Sequence, residues 1–100
     1  MVAVGITSKG YRKEFNCSNG LLSCCDKDLV SLEIPNGVIS LYCRNNKLTE
    51  LIIPEYVTHI FCNNKKLSEL KLPESVIWLR CDKEVSDLDR LIGEIYIELW

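Results

Sequence analysis

A 19-residue period runs through this chain. Cysteine recurs at Cys24, Cys43, Cys62 and Cys81, and proline at Pro35, Pro54 and Pro73. Apolar columns keep the same spacing: Val38, Val57 and Val76; Leu22, Leu41, Ile60 and Leu79; Leu29, Leu48 and Leu67; Leu32, Leu51 and Leu70; Ile34, Ile53 and Leu72. A fixed period with fixed apolar columns identifies a solenoid, because each unit carries an apolar face that only a stacked neighbour covers. Within Leu41-Tyr42-Cys43 the inward and outward positions alternate, as a strand requires. A 19-residue coil that holds a strand and two tight corners has no room for an α-helix. The convex side is therefore expected to be extended or polyproline-like, which suits three prolines with fixed φ and no N–H.

Composition narrows the class further. One hundred residues make one domain. Twelve basic and 14 acidic residues leave a net charge of −2, and the basic residues form nothing longer than doublets such as Lys65-Lys66 and Arg12-Lys13. Nucleic-acid binding needs a basic stripe, so no nucleic-acid partner is expected. Met1–Ile6 is apolar but lacks the charged leader and long core of a signal peptide, and no run reaches membrane-spanning length. The expectation is a soluble, cytoplasmic protein with no membrane partner.

Six cysteines in a short chain raise the question of a disulfide scaffold. Four of them follow an apolar strand residue by two positions, where a small side chain faces the core, and a thiol packs there as a small hydrophobe. Neighbouring strands lie about 4.8 Å apart, whereas a disulfide wants about 3.8 Å between Cβ atoms. The spacing points to a reduced, buried cysteine ladder and a reducing compartment. Zinc is the alternative, but it calls for tight C-x₂₋₄-C pairs feeding a tetrahedron, and a single column supplies a line. No cofactor or metal is expected.

The unit Val38-Ile39-Ser40-Leu41-Tyr42-Cys43-Arg44-Asn45-Asn46-Lys47-Leu48 resembles the conserved segment of leucine-rich repeats, L-x-x-L-x-[L/C]-x-x-N-x-L. Val57 to Leu67 and Val76 to Cys81 repeat the pattern, and the resemblance covers roughly residues 15–85. The proline after an aliphatic residue is similar to the short repeats of bacterial effector-type leucine-rich proteins, and cysteine-bearing repeats are similar to those of large DNA viruses. The resemblance implies a curved solenoid with a parallel concave sheet, protein recognition, and a place in a bacterial or host cytoplasm or on a virion. One column departs from the pattern. Only Asn46 holds the ninth position, whose asparagine in the family hydrogen-bonds backbone between coils. Lys27, Lys65 and Glu84 fill the equivalent places, and Asp26, Asn45 and Asn64 stand one step earlier.

The ends of a solenoid need covers. Alternating Val2, Val4 and Ile6, a turn at Ser8-Lys9-Gly10 and a return through Tyr11–Phe15 read as a β-hairpin lid. Phe15 falls 19 residues before Ile34, which predicts that a degenerate first coil begins there. Ser86 to Ile92 has an N-cap serine and helical apolar spacing, and Glu94 to Trp100 alternates. The expected fold is mostly β: a leucine-rich-repeat solenoid with an extended convex side, an N-terminal hairpin cap, a C-terminal helical turn and a last strand paired with Trp78–Cys81. Residues 1–23 are assigned to the cap and degenerate coil, 24–85 to the repeats and 86–100 to the C-terminal cap.

Outward strand positions form the concave face. One column reads Leu21, Ser40, His59, Trp78; the next Ser23, Tyr42, Phe61, Arg80; the third Cys25, Arg44, Asn63, Asp82. Tyr96, Glu98 and Trp100 extend the set. Tyr42, His59, Phe61, Trp78, Arg80 and Tyr96 are the expected recognition residues, with Arg44, Asn63 and Asp82 as rims, because large aromatics with arginine are what protein interfaces favour. Two other readings stand beside this one: cross-strand aromatic pairs that only stabilise the sheet, and a strand whose in/out phase differs. No catalytic role is expected. His59 is the single histidine, no nucleophile is placed beside it, and no phosphate loop or nucleophile elbow occurs. The leading expectation is a small protein-binding module. Its rival is a structural assembly component, a viral particle or homo-oligomer packing through its ends and C-terminal edge strand.

Overall fold

A computed structural model of the chain describes residues 1–81 and the backbone of 96–99. The described residues form ten strands: β1 (Val2–Thr7), β2 (Arg12–Asn16), β3 (Leu21–Ser23), β4 (Leu29–Glu33), β5 (Ser40–Tyr42), β6 (Glu50–Ile52), β7 (His59–Phe61), β8 (Glu69–Lys71), β9 (Trp78–Cys81) and β10 (Tyr96–Leu99). The front of the molecule is one parallel sheet in the order β10-β9-β7-β5-β3. The chain crosses to the back after each of β3, β5 and β7, giving three turns of a parallel β-solenoid. The 19-residue period becomes register: Leu22 pairs with Leu41, Leu41 with Ile60, and Ile60 with Leu79. The arrangement is consistent with leucine-rich-repeat-like architecture.

The apolar columns fill the space between front and back. Leu22, Leu41, Ile60 and Leu79 are fully buried, as are Cys24, Cys43 and Cys62, Val38 and Val57, and Leu29 and Leu48. Each leucine so enclosed contributes about 1.5–3 kcal/mol relative to leaving it in water. All six cysteines are thiols. Cys24, Cys43 and Cys62 repeat one backbone contact, each N–H donating to the carbonyl of a residue on the next coil: Tyr42, Phe61 and Arg80.

The back is extended, as the coil length predicts, yet it is strand rather than polyproline. β6 and β8 pair in parallel with Leu51 beside Leu70, and both leucines are buried. The reason is alternation: Leu51 and Ile53 point inward while Ile52 is exposed, so the period-two pattern of a strand holds up to Pro54.

Polar side chains stitch the corners. Asn46 Oδ1 accepts the N–H groups of Lys27 and Leu29, and its Nδ2 donates to the carbonyls of Cys24 and Cys43. Asn64 repeats this one coil on, accepting from Asn46 N–H and Leu48 N–H and donating to the Cys43 and Cys62 carbonyls. The polar column is thus partial and shifted by one position. Asn45 takes a left-handed φ of 56° before Asn46. The later coil instead closes a turn in which Leu67 N–H donates to the Asn64 carbonyl.

At the N-terminus β1 and β2 form the expected antiparallel hairpin, and β1 also pairs antiparallel with β4, so the lid closes the back layer. Phe15 lies in β2 opposite Ala3 and packs on the core, so it is part of the hairpin. The chain enters the solenoid through a two-residue turn, Asn19 (φ 53°) and Gly20 (φ 79°), closed by reciprocal hydrogen bonds between Ser18 and Leu21. Both central residues are left-handed, the geometry that matches strand twist in a tight hairpin.

One element of the expected fold class is corrected. The described residues contain no helix, so the fold they show is all-β, without the C-terminal helical turn. The 86–92 segment to which that turn was assigned lies outside the described residues, as do Asp82 and Trp100. The last strand is present: β10 runs parallel to β9 with Tyr96 opposite Trp78 and Glu98 opposite Arg80, one residue short of the 19-residue period.

Candidate functional site

Three-residue front strands present two outward side chains each, and parallel register stacks them in columns. Ser40, His59 and Trp78 share one column; Tyr42, Phe61 and Arg80 share the next. Their intervening partners Leu41, Ile60 and Leu79 are buried, so the in/out phase is as the sequence implies.

Phe61 is the hub. Its ring centroid lies 4.5 Å from that of Trp78 and 5.3 Å from that of Tyr42, both tilted, at 58° and 52°. The Arg80 guanidinium carbon stands 4.7 Å from the Phe61 centroid and 5.7 Å from that of Trp78; Arg44 stands 5.8 Å from Phe61 on another side. His59 lies 6.4 Å from Trp78, and its Nδ1 is 2.8 Å from the Thr58 hydroxyl. Tilted ring pairs at these separations each contribute about 0.5–1.5 kcal/mol. An exposed cation over a ring adds about 0.5–1 kcal/mol. The patch therefore holds its own shape before anything touches it: Tyr42, Phe61, Trp78 and Arg80 are half-buried by one another, and His59 and Arg44 are exposed.

The expected site residues thus separate into groups. Tyr42, His59, Phe61, Trp78, Arg80 and Arg44 form one cluster. Asn63 lies one strand step beyond Phe61, half-buried. Tyr96 is placed by backbone register beside Trp78, and Asp82 lies outside the described residues.

A feature that sequence columns did not reveal adjoins the cluster. Past the ends of the front strands, Cys25, Asp26, Arg44, Asn45, Asn63 and Lys65 line a shallow groove. Asn45 Nδ2 donates to the Asp26 carboxylate across the coil step. Arg44 belongs to both features, lying over Phe61 on one side and lining the groove on the other. The signal was the paired amides Asn45-Asn46 and Asn63-Asn64, whose one-position offset turns Lys65 into this corner.

Thiol chemistry sits beneath this face. Burial pushes the Cys24 thiol up to about 12, with nearby Cys25 and Cys17 adding to the effect. Burial likewise holds the Cys43 thiol well above its ordinary range. Among the described residues no group of three or more His, Cys, Asp or Glu side chains is arranged to hold a metal ion. Among the same residues no helix is long and apolar enough to cross a membrane.

No protein-family profile, curated protein or solved structure matches the chain.

Proposed function

We propose that the chain is a leucine-rich-repeat-like binding module that recognises another protein through the aromatic front sheet, without catalytic chemistry of its own. The observation that carries this reading is the Phe61 hub: two rings and two guanidinium groups converge on one half-buried side chain. Aromatic and arginine side chains held in fixed rotamers on a rigid sheet are what interface anchors require, since little conformational entropy is lost when a partner docks. Cross-strand pairing explains the ring–ring contacts by itself. It does not explain why arginine, rather than an apolar side chain, flanks Phe61 on two sides.

His59 acts in this reading as a contact residue. The test is recapture: a partner found by crosslinking mass spectrometry in the native source is presented to Phe61→Ala and Trp78→Ala variants. Loss of capture with an unchanged circular dichroism spectrum is expected. Unchanged capture by both variants rejects the front-sheet assignment.

Assembly through the C-terminal edge is the second reading, favoured by β10 being the outermost front strand among the described residues. Sedimentation decides it, since a concentration-dependent dimer lost on removing Tyr96–Trp100 supports assembly and a stable monomer opposes it.

A further inference from the structure

We infer that the segment this face binds is an extended stretch of another protein carrying a carboxylate two residues from an apolar or aromatic anchor, with the anchor on Phe61 and Trp78 and the carboxylate in the groove of Arg44, Asn45, Asn63 and Lys65. The inference rests on the front-sheet reading above and adds the chemistry of the occupant.

Charge is distributed unevenly over the two layers. The outward positions of β3, β5, β7 and β9 and of their described extension are Leu21, Ser23, Cys25, Ser40, Tyr42, Arg44, His59, Phe61, Asn63, Trp78 and Arg80, with no acid among them. The back strands expose Glu33, Glu50 and Glu69. In a chain of net charge −2, β3, β5, β7 and β9 therefore present no carboxylate at these positions, and the acid of the sheet is Glu98 of β10, set by backbone register opposite Arg80 at the edge away from Arg44.

The groove is rich in donors. Arg44 and Lys65 make no ion pair among the described residues. Asp26, the single acid of the lining, is already bonded to Asn45. Among the described residues, two cations and two amides thus face a space whose one carboxylate, Asp26, is engaged. A guanidinium that also lies over Phe61 couples the two halves, since a carboxylate on Arg44 and an apolar group on Phe61 press on neighbouring surfaces.

Geometry sets the spacing. Phe61 and Asn63 are two residues apart along one strand direction, about 7 Å at an extended rise. An extended peptide places residues i and i+2 on one side at the same distance, so one anchor and one acid at that interval meet both features. Single-stranded nucleic acid also pairs aromatic stacking with cations, but it needs a cationic track along its backbone. The front columns supply arginine at isolated positions among neutral residues, which favours a single acidic group.

The experiment selects dodecapeptides from a random display library on the intact protein and on Phe61→Ala, then measures synthetic copies by fluorescence anisotropy. Enriched peptides are expected to carry Asp or Glu two residues from Trp, Tyr, Phe or Leu. Changing that acid to its amide, or making Arg44→Gln or Lys65→Gln, is expected to weaken binding about fivefold, less than additively when combined. Enriched peptides without an acid, or full affinity in both groove variants while Phe61→Ala abolishes binding, overturn the inference and leave the front-sheet reading standing. Equal enrichment on Phe61→Ala, or none on either protein, overturns both. A ten-nucleotide oligouridylate that binds more tightly than the peptides, with steep salt dependence, also overturns it.

Discussion

Asn64 Oδ1 accepts the backbone N–H of Asn46 at 3.1 Å, so the side chain that holds one coil receives a bond from the residue that holds the coil before it. The two asparagines are 18 residues apart, one short of the period, yet they serve the same column of backbone groups. The solenoid corner is thereby held by amides placed wherever the local turn lets them reach. Asn45 adopts a left-handed conformation in one coil, and a turn at Lys65-Lys66 does the work in the next.

Asn64 is 1 % exposed and satisfies four backbone groups on two coils. Asn64→Ala leaves buried N–H and C=O groups without partners and is expected to cost about 2–4 kcal/mol. Urea denaturation checks this. The midpoint falls with the slope unchanged if the corner alone is weakened, and a loss below about 1 kcal/mol contradicts the role assigned to this amide.

Two glycines separate conformational from steric cost. Gly10 and Gly20 both have positive φ, but a Cβ at Gly10 meets open space whereas one at Gly20 lies 3.1 Å from Ile39. The Gly20 carbonyl also accepts the N–H groups of Ile39 and Ser40, which anchors the first coil to the second. Gly10→Ala is expected to cost about 1 kcal/mol and Gly20→Ala about 2 kcal/mol or more. Equal losses in thermal or urea melts contradict the account of this turn.

Buried thiols give the fold an alkaline limit. Cys24 titrates near pH 12 when folded and near its ordinary 9.0 when unfolded, because burial disfavours the thiolate. The folded state therefore holds its proton where the unfolded chain releases it. Stability is fully present below pH 9 and declines as pH rises toward 12, with Cys43 acting in the same direction. Urea midpoints measured across that range are expected to fall, and Cys24→Ala is expected to flatten part of the decline. In the native protein at pH 8, a thiol reagent is expected to modify Cys17 and Cys25, which are partly exposed, ahead of Cys24 and Cys43.

Much of this was legible in the sequence because a period translates directly into register. The columns at Leu41/Ile60/Leu79 and Tyr42/Phe61/Arg80 are the observed pairs. The back layer was half legible. Leu51 and Ile53 alternate as a strand does, but the prolines that follow suit polyproline equally well. The place of Phe15 in β2 is not set by its spacing to Ile34, because spacing alone does not distinguish a coil from a hairpin. The Asn19-Gly20 pair between β2 and β3 is the signal that does. At the site, column membership was readable, whereas the tilt of the rings and the stacking of Arg44 and Arg80 depend on rotamers. The groove was hidden for a different reason: the one-residue offset of Asn64 changes which side chain, Lys65, turns into the corner.

The central claim is that the front sheet, and not the back, is the working surface. Phe61→Ala and Ile52→Ala each remove one outward apolar side chain, the first from the front hub and the second from β6 on the back, where Ile52 is 61 % exposed. Binding of a peptide selected on the intact protein, measured against both variants at matched circular dichroism, tests the claim directly. The account predicts that Phe61→Ala abolishes binding while Ile52→Ala retains it. Retention by Phe61→Ala, or loss by Ile52→Ala, contradicts it.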